Sequence, residues 1–165
     1  MTVITQERLK QLLNFNPETG EFTRKTTVGS RKAGTKAGTV ARNGYVNIVI
    51  DRRSYLGHRL AWLWMTGKFP VNEVDHINHA RSDNRWVNLR DVPRSVNHEN
   101  RINARKGSKT GVLGVRYSLR RHHFFSEIKV DGRYIYLGSF NTLEEARAAY
   151  LEAKRKHHNI NEVAQ

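Results

Sequence analysis

The sequence runs to 165 residues, room for one ordinary domain or two small ones, and sets 29 Lys and Arg against 15 Asp and Glu for a formal charge of +14. Such an excess favours a polyanionic partner, because each cation placed against a phosphate releases a condensed counterion, and it points to nucleic acid. The absence of Cys excludes disulfides and Cys-ligated zinc, and the longest mostly apolar run, Leu60 to Met65, is far short of a bilayer span.

A membrane surface would also attract the charge, but it calls for an apolar anchor or a strongly amphipathic basic helix, and neither is present in the sequence. The start, MTVITQERLK, lacks the apolar core of a signal peptide. A cytoplasmic protein with no membrane partner is therefore expected.

In chain order, residues 5 to 13 predict a short helix capped by Thr5, with Leu9, Leu12 and Leu13 on one side. NPETGEF is a turn entering a strand near Glu21 to Lys25. VGSRKAGTKAG, residues 28 to 38, is a Gly-rich basic loop that serves either as a connector or, through closely approaching N–H groups, as a phosphate contact. From Thr39 to Leu56, β-branched and aromatic residues recur around two turn signals, Arg42-Asn43-Gly44 and Asp51-Arg52-Arg53, predicting a small antiparallel sheet. HRLAWLWMT, residues 58 to 66, is a short apolar helix stopped by Gly67, with Leu60, Leu63 and Trp64 in the core.

Positive charge flanks residues 58 to 100 and is sparse within them, a pattern suited to a reaction centre held between backbone-gripping surfaces. The centre of that segment is VDHINHARSDNRWVNLR, residues 74 to 90. Cutting a phosphodiester near neutral pH needs a base for water, a cation for the phosphate and leaving oxygen, and a group that orients the base. Asp75 and His76 offer a carboxylate for a metal and an imidazole for water from neighbouring positions. On regular extended chain they would point to opposite faces, whereas a twisted hairpin or turn lets both reach one site. Asn88 has an amide carbonyl suited to accept the imidazole proton and fix its tautomer. Asn97, on a helix predicted over Arg94 to Asn103, adds a hard oxygen ligand, with His98 as the alternative. One carboxylate and one amide oxygen suit a single divalent ion, Mg²⁺ first and Mn²⁺ second. Asp83 and Asn84 are turn formers, Arg85 and Arg90 are candidate phosphate contacts, and His79 is a surface residue of the hairpin. His58 and Arg59 are placed either near DNA or in packing at a helix start.

The run His58 to Asn100, with its HRLAW, VDHIN, SDNRWVNLR and SVNHEN segments, resembles the HNH homing-type endonucleases of phages and prophages, and NPETGEF, KAGT, GYVNIVI and YLGHRLAW look like the region that precedes the motif there. The resemblance implies a β-hairpin followed by a helix around one metal ion. It makes His76 the general base, Asn88 the residue that orients it, and Asp75 and Asn97 the metal ligands. It also implies a phage or prophage protein acting inside a bacterial host.

Beyond it, RINARKGSKT, residues 101 to 110, is a basic, nearly apolar-free linker whose Arg101, Arg105, Lys106 and Lys109 are candidates to track a DNA backbone. Strands are predicted over Val112 to Tyr117, Phe124 to Val130 and Arg133 to Leu137, with Asp131-Gly132 as the last hairpin turn. Thr142-x-x-Glu145 is a capping-box signature opening a helix to about His157. This stretch resembles the Apetala-type DNA-binding domain of plant ethylene-response factors through GVRY, LGSF and EEARAAY. The family's Trp-x-Ala-x-Ile is here Phe124-x-Ser126-x-Ile128. The resemblance implies a sheet in the major groove and makes Arg116, Arg120, Arg121, Lys129 and Arg133 candidates for DNA contact.

The expected fold is α+β: a ββα-metal nuclease core with a small antiparallel N-terminal sheet (1–100), the basic linker (101–110), and a three-stranded sheet with one helix (111–165). The expected function is a metal-dependent endonuclease of duplex DNA, monomer or weak dimer, nicking one strand per active site. The competing reading is a non-catalytic sequence-specific DNA-binding regulator. A basic RNA-binding factor is the third, disfavoured by the C-terminal resemblance.

Overall fold

The first helix, α1 (Gln6–Leu12), begins where Thr5 accepts the Arg8 N–H in its side-chain oxygen, and ends earlier than the sequence suggests because Leu13 turns extended and opens a strand. In the computed structural model, residues 3–99, 101, 103–104 and 106–158 are described, with the side chains of 95, 98 and 99 excepted. The chain divides between Arg94 and Ser95 into two compact units, earlier than the boundary at residue 100 expected from sequence.

Ahead of residue 57 the first unit holds two small sheets where one was expected. Strands β1 (Leu13–Asn16), β2 (Glu21–Arg24) and β3 (Lys36–Ala37) form an antiparallel sheet in that order. The Gly-rich loop 28–38 thus contributes β3 as well as turns. Strands β4 (Thr39–Val40), β5 (Val46–Ile50) and β6 (Arg53–Leu56) form the second. Helix α2 (Gly57–Thr66) follows directly and stops at Gly67, whose φ of 79° is the left-handed conformation that glycine adopts without a Cβ penalty.

The alternation of β1 places Leu13 and Phe15 inward, and Phe15 lies opposite Phe22 with ring centroids 4.6 Å apart. Trp64 of α2 covers both rings, and Gln6 Nε2 donates to the Trp64 carbonyl at 2.6 Å, tying α1 to α2. Leu9, Ile48, Leu60 and Ala61 complete a core with no more than about one per cent exposure each. That core is the floor for the next element, a hairpin of β7 (Glu73–His76) and β8 (Leu89–Val92), whose Val74 and Leu89 pack into it. The Asp91 carboxylate accepts from the Val71 and Asn72 N–H groups at 3.1 and 3.0 Å and fixes the entry to β7.

In the second unit, α3 (Arg94–Glu99, counted from the last residue of the first unit) is shorter than the helix predicted to Asn103: Arg101 is irregular and Asn103 lies in a bend. Asn100 lies outside the described residues. Three strands, β9 (Val115–Ser118), β10 (His123–Val130) and β11 (Arg133–Phe140), pair antiparallel in the order β11-β10-β9. Asp131 and Gly132 form the turn between the last two, both at positive φ as a two-residue hairpin demands. Helix α4 (Leu143–His157) starts at a complete capping box, Thr142 with Glu145, and buries Ala146, Tyr150 and Ala153, the last two in one cluster with Ile128. A Cβ at Gly114 would overlap the Tyr150 ring, so this position admits glycine alone.

Among the described residues, no helix is long and apolar enough to cross a membrane.

Candidate functional site

The hairpin carries Asp75, His76 and Asn88, the residues that segment 74 to 90 was expected to supply. Asp75 and His76 end β7, and both are buried, at 8 and 4% exposure. Across the hairpin, Asp75 faces Arg90 and His76 faces Leu89. The Arg90 Nε and Nη2 groups donate to Asp75 Oδ2 at 2.9 and 2.8 Å. Arg90, expected to touch phosphate, is thus the cation on the candidate ligand.

The connection from β7 to β8 is held by side-chain amides. The Asn78 N–H donates to Asn88 Oδ1 at 2.9 Å, and Asn88 Nδ2 donates to the Asp83 carbonyl at 2.8 Å. Asn78 Nδ2 donates in turn to Asp83 Oδ2, and His79 takes φ of 63° as its N–H closes a turn on the His76 carbonyl. His79 is exposed, as read from the sequence. Arg85 grips Asp83 through two nitrogens at 2.9 and 2.7 Å, and this pairing, ahead of the opposing effect of burial, holds the Asp83 carboxyl down at about 2.

The contact with the imidazole that was expected of Asn88 is made by Asn84. The Asn84 Oδ1 lies 3.2 Å from His76 Nε2, and Asn84, read from sequence as a turn former, is only 2% exposed. Asn88 closes the hairpin instead, because both ends of its amide are engaged by the loop between residues 78 and 83.

His58, the second residue of α2, packs edge-on against His76 at 5.1 Å and beside Tyr45 at 5.1 Å, with Tyr45 in turn 5.9 Å from His76. Of the two roles open to His58, the structure gives packing. Among the described residues its Nδ1 has no hydrogen-bond partner, and burial, followed by the neighbouring His76 and Arg59, depresses its pKa to about 3. Burial also lowers the His76 pKa, against the pull of Asn84, Asp75 and Asp83, and Arg81 adds to the lowering. Burial thus favours the neutral imidazole of His76, the form a general base requires. Arg81 escaped sequence reading: its guanidinium lies over the Tyr45 ring at 5.1 Å and donates to the Asn43 carbonyl at 3.0 Å.

Asn97 lies half-buried on α3, beyond the division of the two units, and His98 is outside the described side chains. Among the described residues no three His, Cys, Asp or Glu converge as a metal cluster. Of the linker candidates, Arg101, Lys106 and Lys109 are exposed and Arg105 lies outside the described residues. The Arg101 carbonyl accepts from Lys154 Nζ. On the C-terminal sheet Arg116, Lys129 and Arg133 are exposed, and so are Arg120 and Arg121, which lie in the turn between β9 and β10 and not on a strand. Arg116 pairs with Glu127 at 2.5 Å, and Lys129 Nζ sits 5.6 Å from the centre of the Tyr134 ring.

Residues 55–99 match the family model described as HNH endonuclease. No curated protein matches the chain. A solved structure titled "DNA binding and cleavage by the HNH homing endonuclease I-HmuI" is similar at 18% identity and a TM-score of 0.45, over 96% of this chain and 94% of that one.

Proposed function

We propose that this chain, a nuclease by its HNH endonuclease domain, is a metal-dependent endonuclease of duplex DNA, with His76 as general base and Asp75 and Asn97 as ligands of one divalent ion. The observation that carries the reading is a buried imidazole, its pKa lowered by burial, at the position next to a buried carboxylate at the end of one strand. An imidazole held neutral accepts a proton from water, and a neighbouring anion suits a cation that faces phosphate.

HNH nucleases generally use a divalent metal ion. One carboxylate and one amide oxygen fit a hard cation that retains waters and takes phosphate oxygens, which favours Mg²⁺. Such an ion, when bound, neutralises charge on the phosphate and the departing 3′ oxygen. The chain's own residues do the rest. His76 receives the water proton, Asn88 keeps the hairpin closed, and the exposed Arg81 supplies positive charge near His76. One such site handles one phosphate, so a nick is the expected product of a monomer.

The C-terminal sheet and the linker are proposed to grip the duplex, because their exposed Arg and Lys give counterion-releasing contacts without any chemistry of their own. A phage or prophage origin accords with the resemblance of the sequence motifs.

Supercoiled plasmid incubated with Mg²⁺ tests the proposal. The wild type should yield open circles, chelator should stop the conversion, and His76→Ala should still retard DNA in a gel while cutting none. If wild type and variant both bind DNA and neither cuts it, the chain is a DNA-binding regulator on a nuclease scaffold.

A further inference from the structure

The group that orients the base is the open question left by the two amides near His76. Asn88 has both ends of its amide occupied within the hairpin, whereas the Asn84 oxygen faces His76 Nε2 at 3.2 Å in a buried setting. A carbonyl oxygen only accepts, so the ring nitrogen opposite it carries the hydrogen and the other nitrogen is bare.

We propose that Asn84 is the positioning residue of the reaction: it holds His76 as the Nε2–H tautomer and leaves Nδ1 as the atom that takes the proton from water. The role of Nδ1 rests on the nuclease reading above; the tautomer itself does not.

Three features make Asn84 a fixed rather than an incidental partner. Gly57 lies so close that a Cβ there would stand 2.8 Å from Asn84 Nδ2. Gly20, at φ +72°, lies against the Asn84–Arg85 peptide closely enough that a Cβ would overlap it. One residue further on, the Trp86 N–H donates to the Pro17 carbonyl at 2.9 Å. The start of α2 thus bounds the side-chain amide of Asn84, and the NPETG turn bears on the peptide that carries it. The imidazole is held as well, with the His58 ring edge-on to it at 5.1 Å. Pre-set geometry of this kind spares the reaction the entropy of finding the right ring orientation.

Long-range proton–nitrogen correlation spectra of the metal-free, DNA-free protein, at a pH where the imidazole is neutral, read the tautomer directly. The wild type should show His76 with hydrogen on Nε2. Asn84→Asp, which keeps an oxygen in place, should retain that tautomer, and Asn84→Leu, which fills the volume without an acceptor, should lose it. In plasmid nicking, Asn84→Leu should lower kcat by about 10- to 100-fold with KM unchanged, as loss of an outer orienting partner does at comparable sites. Asn84→Ala serves if the leucine variant does not fold. Hydrogen on Nδ1 in the wild type, or an unaltered Nε2–H tautomer in a folded variant lacking the acceptor, overturns the proposal. A protein that cuts DNA but shows Nδ1–H sinks this inference alone, and one that shows Nε2–H but never cuts sinks the nuclease reading alone.

Discussion

Arg90 stands directly across the hairpin from Asp75 and holds one oxygen of its carboxylate with two nitrogens, at 2.8 and 2.9 Å. The carboxylate is buried, and its charge is offset by a cation of the protein itself, on a residue proposed above to hold the ion. Removing one member of a buried pair leaves the other poorly compensated. Arg90→Ala should lower the unfolding free energy by about 1–3 kcal/mol in chelator, and millimolar Mg²⁺ should recover part of the loss. Thermal melts with and without the metal check this; equal melts in both buffers would argue against a cation site at Asp75.

His58 makes stability depend on acidity. Its folded pKa, about 3, lies below the ordinary 6.5, so the unfolded chain takes up the proton first as pH falls. The contribution is complete above pH 6.5 and is lost progressively between there and about 3, at roughly 1.4 kcal/mol per pH unit at most. His58→Gln should flatten the dependence of unfolding free energy on pH within that window. Because His76 is also shifted down, the acid limb of the nicking rate should fall below 6.5. A rate that halves at a pH above 6.5 would argue against His76 as the base.

Ser126 occupies the centre of β10 at zero exposure, and among the described residues its hydroxyl has no hydrogen-bond partner. A buried hydroxyl without a partner costs about 1 kcal/mol or more of desolvation. Ser126→Ala should therefore raise the melting temperature of the second unit, whereas Gly114→Ala should lower it sharply, since the new methyl would overlap Tyr150. Differential scanning calorimetry distinguishes the two directions.

Arg120 and Arg121 project from the exposed turn between β9 and β10. If both meet phosphates, the double alanine variant should lower the slope of log affinity against log salt by about 2, with similar losses on all duplex sequences. If instead they read bases, affinity should fall on the preferred site and little elsewhere. Titrations at several salt concentrations on a cut site and on random duplex separate these outcomes.

The parts of the molecule that were legible from sequence are those set by local chemistry. Thr142 and Glu145 make a capping box in any context, and Asp131-Gly132 fits a two-residue turn whatever surrounds it. Strand β1 was missed because Leu12 and Leu13 continue the apolar side of α1, and four residues are too few to tell a period of two from one of 3.6. At the site, Asp75, His76 and Asn88 were legible as residue types in order. The burial of Asn84 was not, because it depends on Gly20 and Gly57, which are distant in sequence and give no signal near SDNR. The same holds for Arg81, whose position is set by Asn43 and Tyr45.

The hydrogen bond from the Trp86 N–H to the Pro17 carbonyl, with Gly20 pressed on the adjacent peptide, has a bearing on how this catalytic motif is inherited. Residues 55–99 are not a portable cassette: cut free from the preceding fifty-odd residues, they would lose the support beneath their central loop. Recombination that preserves activity should therefore break the gene beyond residue 99, and transplants of the motif should travel with their own leading segment.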